Sequence, residues 1–256
     1  MKFIYQIENL FLELPIGKTQ EKRSILKDIH LTIESGKIYT IVGASGCGKT
    51  SLLRVMGGLT QKTSGKVLYQ NTEVTSPPEG VAFVFQDYAN ALLPWRTVAK
   101  NISLPIEDTL SAVECSARVK EAISQVHLTG RENDYPWQLS GGMQQRLQIA
   151  RALATKPNVL LMDEPFAALD AMTKASMQDE LLKLRDQTNI SIVFITHDIE
   201  EAIYLGDQVS IMRGPPGEIF ESIDISLSQN RDQLTTRGLP EFLAYRKLIH
   251  ESIKGH

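Results

Sequence analysis

The 256-residue chain has only two cysteines, Cys47 and Cys115, and neither belongs to a CxxC pair. A disulfide framework is excluded, and nothing in their spacing suggests zinc or redox chemistry. No run approaches the roughly 18 consecutive apolar residues of a membrane-spanning helix. A basic excess is also missing: 27 Lys and Arg stand against 30 Asp and Glu, a net charge of −3. Without a positive field to coat a phosphate backbone, no nucleic-acid partner is expected. The opening Met-Lys-Phe-Ile-Tyr-Gln-Ile-Glu reaches an acid too early for a secretory signal, so a reducing, intracellular setting is expected. Neither internal repeats nor low-complexity tracts are visible. What the chain does have is 42% hydrophobic residues, enough for a core, and a length that suits one large or two small domains.

Two kinds of strand are written into the pattern. Residues 2 to 14 alternate apolar and polar side chains (Phe3, Tyr5, Ile7), as do Leu31 with Ile33 and Val67 with Tyr69, which predicts half-buried antiparallel strands. Ile38–Val42, Val159–Met162 and Ile192–Ile195 are instead continuous apolar runs, each followed by a polar or glycine-rich turn and a helical pattern. Such runs suit strands covered on both faces in a parallel sheet. From Gln86 to Pro157, prolines 94, 105 and 136 punctuate segments of helical spacing, among them Val113, Ala117 and Val119 to Val126, and a helical insertion is expected. After Gly217 the tail reads as polar until Pro240, where Phe242, Tyr245, Ile249 and Ile253 predict a closing amphipathic helix.

The most specific motif is Gly43-Ala44-Ser45-Gly46-Cys47-Gly48-Lys49-Thr50, which satisfies G-x-x-x-x-G-K-[ST] between an apolar strand and a helical run beginning at Ser51. Bare glycine backbone lets N–H groups point at phosphate oxygens, and the following helix adds the positive end of its dipole. Lys49 can bridge the terminal phosphates and the Thr50 hydroxyl can ligate Mg²⁺. Asn158-Val-Leu-Leu-Met-Asp-Glu-Pro165 ends an apolar strand in two acids, which by themselves are as often a solvated strand end. Ligands of open α/β sheets bind at the carboxyl ends of strands, so Asp163 falls near the phosphate loop. There Asp163 would hold Mg²⁺ and Glu164 would act as general base toward water. His197 closes a third apolar strand and would reach a γ-phosphate oxygen or hold Glu164 or the water, although a lone histidine at a strand end is commonly structural.

In Leu139-Ser140-Gly141-Gly142-Met143-Gln144-Gln145-Arg146, Ser140 reads as an N-cap and Met143, Leu147, Ala150 and Ala154 as an apolar stripe ended by Pro157. Two glycines in a first turn cost helix stability, about 1 kcal/mol each. Either a capped helix tolerates them, or a second phosphate approaches the Ser140 hydroxyl and bare N–H groups. Cys47, at a helix N-terminus, invites a lowered thiol pKa; the blander reading is a small residue that fits the loop. The first alternative predicts alkylation that stops hydrolysis and is blocked by Mg-ATP.

Taken in order, GASGCGKT, Gln86 after Phe83-Val-Phe85, LSGGMQQR, LLMDEP, Ala167-Ala-Leu-Asp170 and ITHD resemble the nucleotide-binding subunit of ATP-binding cassette (ABC) transporters over nearly the whole chain. The resemblance implies a P-loop NTPase (RecA-like) α/β fold. Its parallel-sheet core, residues 1–86 and 157–220, would include an antiparallel β subdomain; 87–156 would form a helical subdomain and 221–256 a C-terminal extension. It also implies ATP and Mg²⁺ as cofactors, with Gln86 reaching the Mg²⁺ and attacking water. Ser140, Gly142 and Gln144 would contact ATP bound to a second copy of the chain, Asp170 would lie at the dimer seam, and His197 would be the switch histidine. Permease subunits would be contacted near Gln86 to Trp95, on the cytoplasmic face of the membrane, with an extracytoplasmic solute-binding protein in the same system. The stretch Gln86 to Val98 resembles importers of nitrate, sulfonates, taurine and a thiamine-precursor pyrimidine. The family's adenine-stacking aromatic falls near Leu14 and Pro15, with Phe11 the closest aromatic. Two rivals are a soluble P-loop kinase or other phosphotransferase, which leaves LSGGMQQR unexplained, and a non-transport ABC protein of DNA repair or translation, which the charge disfavours.

Overall fold

The computed structural model describes residues 3–17 and 21–254. Lys2, the first residue of the expected N-terminal strand, lies outside them. In chain order the elements are β1 (Phe3–Pro15), β2 (Lys22–Glu34), β3 (Ile38–Gly43), α1 (Lys49–Met56), β4 (Ser64–Tyr69), β5 (Thr72–Glu73) and β6 (Val81–Val84). The helices α2 (Tyr88–Ala91), α3 (Val98–Ser103), α4 (Ala112–Gln125) and α5 (Gly141–Ala154) follow. The chain then runs through β7 (Val159–Asp163), α6 (Ala171–Thr188), β8 (Ser191–Ile195), α7 (Ile199–Leu205), β9 (Gln208–Arg213), β10 (Glu218–Asp224) and α8 (Pro240–Lys254).

The strands form two sheets, an antiparallel one ordered β2-β1-β4-β5 and a second ordered β10-β9-β3-β8-β7-β6, parallel from β9 to β6. Every residue of β3, β7 and β8 is buried. Their alternate side chains enter two different cores. Tyr39, Ile41, Val159, Leu161, Val193 and Ile195 meet α1 and the antiparallel sheet, while Ile38, Val42, Leu160, Met162, Ile192 and Phe194 meet the helices on the other face. A strand with apolar side chains on both faces shows no alternation, which is why these three read as continuous runs. All their carboxyl ends therefore emerge along one edge, where the phosphate loop and the polar strand ends meet.

The helical insertion holds α2 to α5. In α4, opened by a Ser111–Glu114 capping box, the buried stripe is Val119, Ala122 and Ile123, continued by Val126. Val113 is 81% exposed, so the expected stripe began too early. The tail is corrected as well. Residues 218–224 are a strand, antiparallel to β9, in which exposed and half-buried residues alternate strictly. As an edge strand carrying Glu218, Glu221 and Asp224 it has the polarity of a loop. The closing helix is present as α8, with Phe242 and Ile249 buried and Tyr245 and Ile253 packed beside them. Among the described residues, no helix is long and apolar enough to cross a membrane.

Candidate active site

Gly43 ends β3 and Lys49 begins α1, and the loop between them is shaped by contacts that only glycine permits. A Cβ on Gly43 would stand 2.2 Å from the Met212 carbonyl oxygen. Gly48, the N-cap of α1, has φ 105°, a backbone region that L side chains rarely adopt. Ala44, Ser45 and Gly46 are exposed at the loop's tip. The buried Lys49 ammonium donates to the carbonyls of Gly43 at 2.7 Å and Ala44 at 3.0 Å, which fixes a positive charge inside the curl of the loop.

Thr50 and Asp163 come together from opposite elements, the threonine hydroxyl donating to Asp163 Oδ1 at 3.2 Å. Burial pushes the Asp163 carboxyl above the usual aspartate range. The Thr50 hydrogen bond opposes this, and the adjacent Glu164 carboxylate adds to it. Glu164 has φ 46°, an uncommon conformation for a non-glycine residue, and its N–H donates to the Ile195 carbonyl at 3.0 Å. That bond ties the end of β7 to the end of β8, where His197 Nδ1 lies 3.0 Å from Glu164 Oε2. A cleft of about 350 Å³ is lined by Ser45, Gly46, Gly48, Lys49, Thr50, Ser51, Gln86 and Glu164 on one side and by Arg23, Ile25 and Pro215 on the other.

Other expected site residues lie elsewhere. Ser140 caps α5 by accepting from Met143 N–H, and Asp170 caps α6 by accepting from the N–H groups of Met172 and Thr173. Hydrogen bonds, first from Thr173, hold the Asp170 carboxyl below its usual range. Neither they nor Gly141, Gly142 and Gln144 line the cleft. Gln144 is half-buried, and its amide donates to the carbonyls of Pro136 at 2.9 Å and Leu139 at 3.2 Å, which braces the turn before α5. The Cys47 side chain is 1% exposed and belongs to the core beneath the loop, so burial removes the access that alkylation requires. Phe11, Leu14 and Pro15 do not line the cleft; Phe11 pairs with Ser64 toward β4.

The family model described as "ABC transporter" matches residues 26–167. The chain belongs to the ABC transporter family. An ABC transporter ATP-binding protein of Methanocaldococcus jannaschii is 43% identical over 99% of this chain and 92% of its own length. The aliphatic sulfonates import ATP-binding protein SsuB of Bacillus subtilis is 40% identical over 89% of this chain and 86% of its own. The nitrate import ATP-binding protein NrtC of Synechococcus elongatus is 38% identical over 86% of this chain, which spans 34% of that longer protein. Among solved structures, a dimeric ATP-binding cassette in a post-hydrolysis state, bound to ADP and Pi, superposes with a TM-score of 0.78 at 30% identity, covering 88% of this chain and all of that one. The chain is therefore an ATP-binding, ATP-hydrolysing ABC subunit with the P-loop NTPase fold, and the phosphotransferase and non-transport alternatives are not favoured.

This ABC cassette also contains links that motif reading did not reveal. The Gln148 carboxamide, oriented so that both its ends are satisfied, bridges the C=O and N–H of Phe85 at 2.9 Å each, immediately before Gln86. Gln145, 1% exposed, directs its amide at the Glu164 carbonyl at 3.4 Å. Helix α5 thus touches the backbone of two cleft segments. The Gln145 side-chain carbonyl oxygen is itself buried without a partner among the described residues, and no pattern in the sequence announces either link.

Proposed function

We propose that the chain powers an importer from the cytoplasmic face of the membrane, working as a pair with a second copy of itself on separate permease subunits. One observation carries the reading. The phosphate loop, Gln86 and Glu164 share a single cleft, whereas Ser140, exposed at the start of α5, does not line it. A chain that offers a second phosphate-type helix start outside its own cleft is suited to complete the site of another copy.

In this reading the loop N–H groups and Lys49 bind the triphosphate, and Ser140, Gly141 and Gly142 of the facing copy close on its γ end. The donor set fits Mg²⁺, since the Thr50 hydroxyl, the Asp163 carboxylate and the Gln86 amide are all oxygen donors, two of them 3.2 Å apart. When bound, Mg²⁺ neutralises charge on the transferring phosphoryl group. Glu164 takes the proton of the attacking water as oxygen bonds to the γ-phosphorus and the bond to ADP breaks. His197 keeps that carboxylate in position from the neighbouring strand end.

Residues 87–156 form the part that would meet the permease, leaving 1–86 and 157–220 as catalytic core and 221–256 as extension. The stretch Gln86 to Trp95 is held from behind: Arg151 donates to the Ala91 carbonyl at 2.7 Å, and the buried Asn101 carboxamide bonds Leu93 and Arg96. Trp95 is left 71% exposed at its end. Arg151 also lines a cleft of about 700 Å³ with Phe83, Phe85, Leu104 and Ile106, which suits a helix of the permease. The sulfonate and nitrate importers among the relatives support a small solute of that kind, with taurine and a thiamine-precursor pyrimidine as further candidates, delivered by an extracytoplasmic binding protein.

The test is to recover the tagged chain from detergent-solubilised membranes and to assay phosphate release with Mg-ATP. Co-purification of an integral-membrane permease, with uptake of one of these solutes lost when the chain is deleted, is the expected result. Hydrolysis by a chain that never retains a membrane partner would refute it.

A further inference from the structure

The cleft extends past the phosphate loop on the side away from Glu164. Along the carboxyl edge of the parallel sheet the strand order is β9-β3-β8-β7-β6. The loop follows β3, so Glu164, after β7, and Gln86, after β6, lie to one side of it, while Pro215, after β9, lies to the other. A nucleotide with its terminal phosphate toward Glu164 must run out toward β9. Strand β2 borders that end: Gly217 N–H donates to the Ile25 carbonyl at 2.8 Å and Lys27 N–H to the Gly217 carbonyl at 2.9 Å. Leu26 and Gly217 form a parallel bridge.

The pairing of β1 with β2 shifts register at Ile25, between Leu26 and Ser24, and Arg23 and Ile25 both line the cleft with Pro215. Arg23 is exposed; its backbone pairs with Leu14 of β1, and its guanidinium forms no hydrogen bond or ion pair among the described residues. It precedes the segment matched by the family model, which begins at residue 26. Among the described residues, no aromatic side chain lines the cleft. Arginine is the one residue there with a flat, cationic surface, and guanidinium groups stack on aromatic rings.

We infer that Arg23, with Ile25 and Pro215, binds the nucleoside end of the nucleotide, the guanidinium plane lying against the base. The inference rests on the proposed nucleotide site, and the experiment separates the two. Affinities of the full-length chain for ATP and for inorganic tripolyphosphate are measured by calorimetry, for wild type, Arg23→Ala and Arg23→Tyr. Arg23→Ala should weaken ATP binding about three- to tenfold, the range of a partly desolvated cation–π contact, and leave tripolyphosphate unchanged. Arg23→Tyr, which restores a flat ring, should recover ATP affinity. Equal losses for both ligands would make Arg23 a phosphate contact and overturn the inference, as would no loss for either. If wild type binds neither ligand, the nucleotide site itself fails, and that outcome is visible without any Arg23 variant.

Discussion

His197 Nδ1 and Glu164 Oε2 are 3.0 Å apart, joined across the ends of two adjacent parallel strands that are themselves in register at Asp163 and Ile195. The histidine side chain is 67% exposed and the glutamate 18%, so the pair has one face on the cleft and one on solvent. Replacing Glu164 by Gln keeps the shape and the strained backbone but removes the proton acceptor. Turnover should fall by about 10²- to 10⁴-fold while ATP still binds, because the loop and Lys49 are untouched. Light scattering after size exclusion should then show an ATP-dependent dimer in the Glu164→Gln protein. Ordinary turnover in this variant would remove Glu164 from the role of base.

The burial of Cys47 favours the reading of a small residue that fits the loop over that of a reactive thiol. With 1% exposure it is shielded, whereas Cys115 on α4 is half-buried and nearer the surface. Brief treatment of the folded protein with a thiol alkylator should label Cys115 first, leave Cys47 unmodified and spare ATP hydrolysis. Both should react in urea. Mass spectrometry of the digested protein distinguishes the sites, and early modification at Cys47 would contradict its packing.

Glu201 lies behind the same strand end that carries His197. It is 4% exposed and accepts hydrogen bonds from the Thr196 hydroxyl and, at 3.0 Å, from the Gln178 amide, with Lys174 3.9 Å away. Burial raises its pKa, outweighing the opposing Thr196 and Lys174 contacts. A raised carboxyl pKa means that the folded state keeps a proton the unfolded chain has lost. Stability should therefore decline as pH rises from the ordinary glutamate value of 4.5 through the folded one, then level off. Glu201→Gln keeps an oxygen to accept from the Gln178 amide and presents an NH2 that donates to the Thr196 hydroxyl, without the ionisation, so its melting temperature should gain on wild type between pH 4.5 and pH 8. The opposite trend would mean that Lys174 holds Glu201 ionised.

The elements most legible in the sequence were those governed by local rules. The phosphate loop is contiguous and its glycines are demanded by backbone geometry, and β3, β7 and β8 announce themselves because both faces are buried. Legibility failed where a neighbour distant in sequence decides the outcome. Residues 218–224 form a strand because β9 offers an edge, not because Glu218 or Asp224 favour one. The bonds from the Gln144 amide to the Pro136 and Leu139 carbonyls depend on the turn before α5 and are not written in the motif. The bond between Gln148 and Phe85 spans residues far apart in the chain, and no periodicity signals it. Arg23 is uninformative in isolation and acquires meaning only when Pro215, far off in sequence, is brought beside β2 at the same end of the cleft.

Gly142 has two competing explanations, and they make different predictions. A Cβ at this position would come 2.9 Å from Leu169 Cδ2, so packing within the chain already favours glycine. The alternative is that bare backbone is needed for a phosphate held by another copy. Gly142→Ala alone cannot separate them, since both disfavour the methyl group. The helix would gain about 1 kcal/mol from alanine, and Leu169, a flexible side-chain end, can move, so the variant should melt within a few degrees of wild type. Adding Leu169→Ala removes the intrachain clash and leaves any clash with an incoming phosphate. In the Glu164→Gln background, ATP-driven dimerisation that stays lost in the Gly142→Ala, Leu169→Ala protein would assign the glycine to the second copy's nucleotide. Dimerisation that returns on removing Leu169 would assign it to packing, and Ser140 would then be the residue to test for phosphate contact.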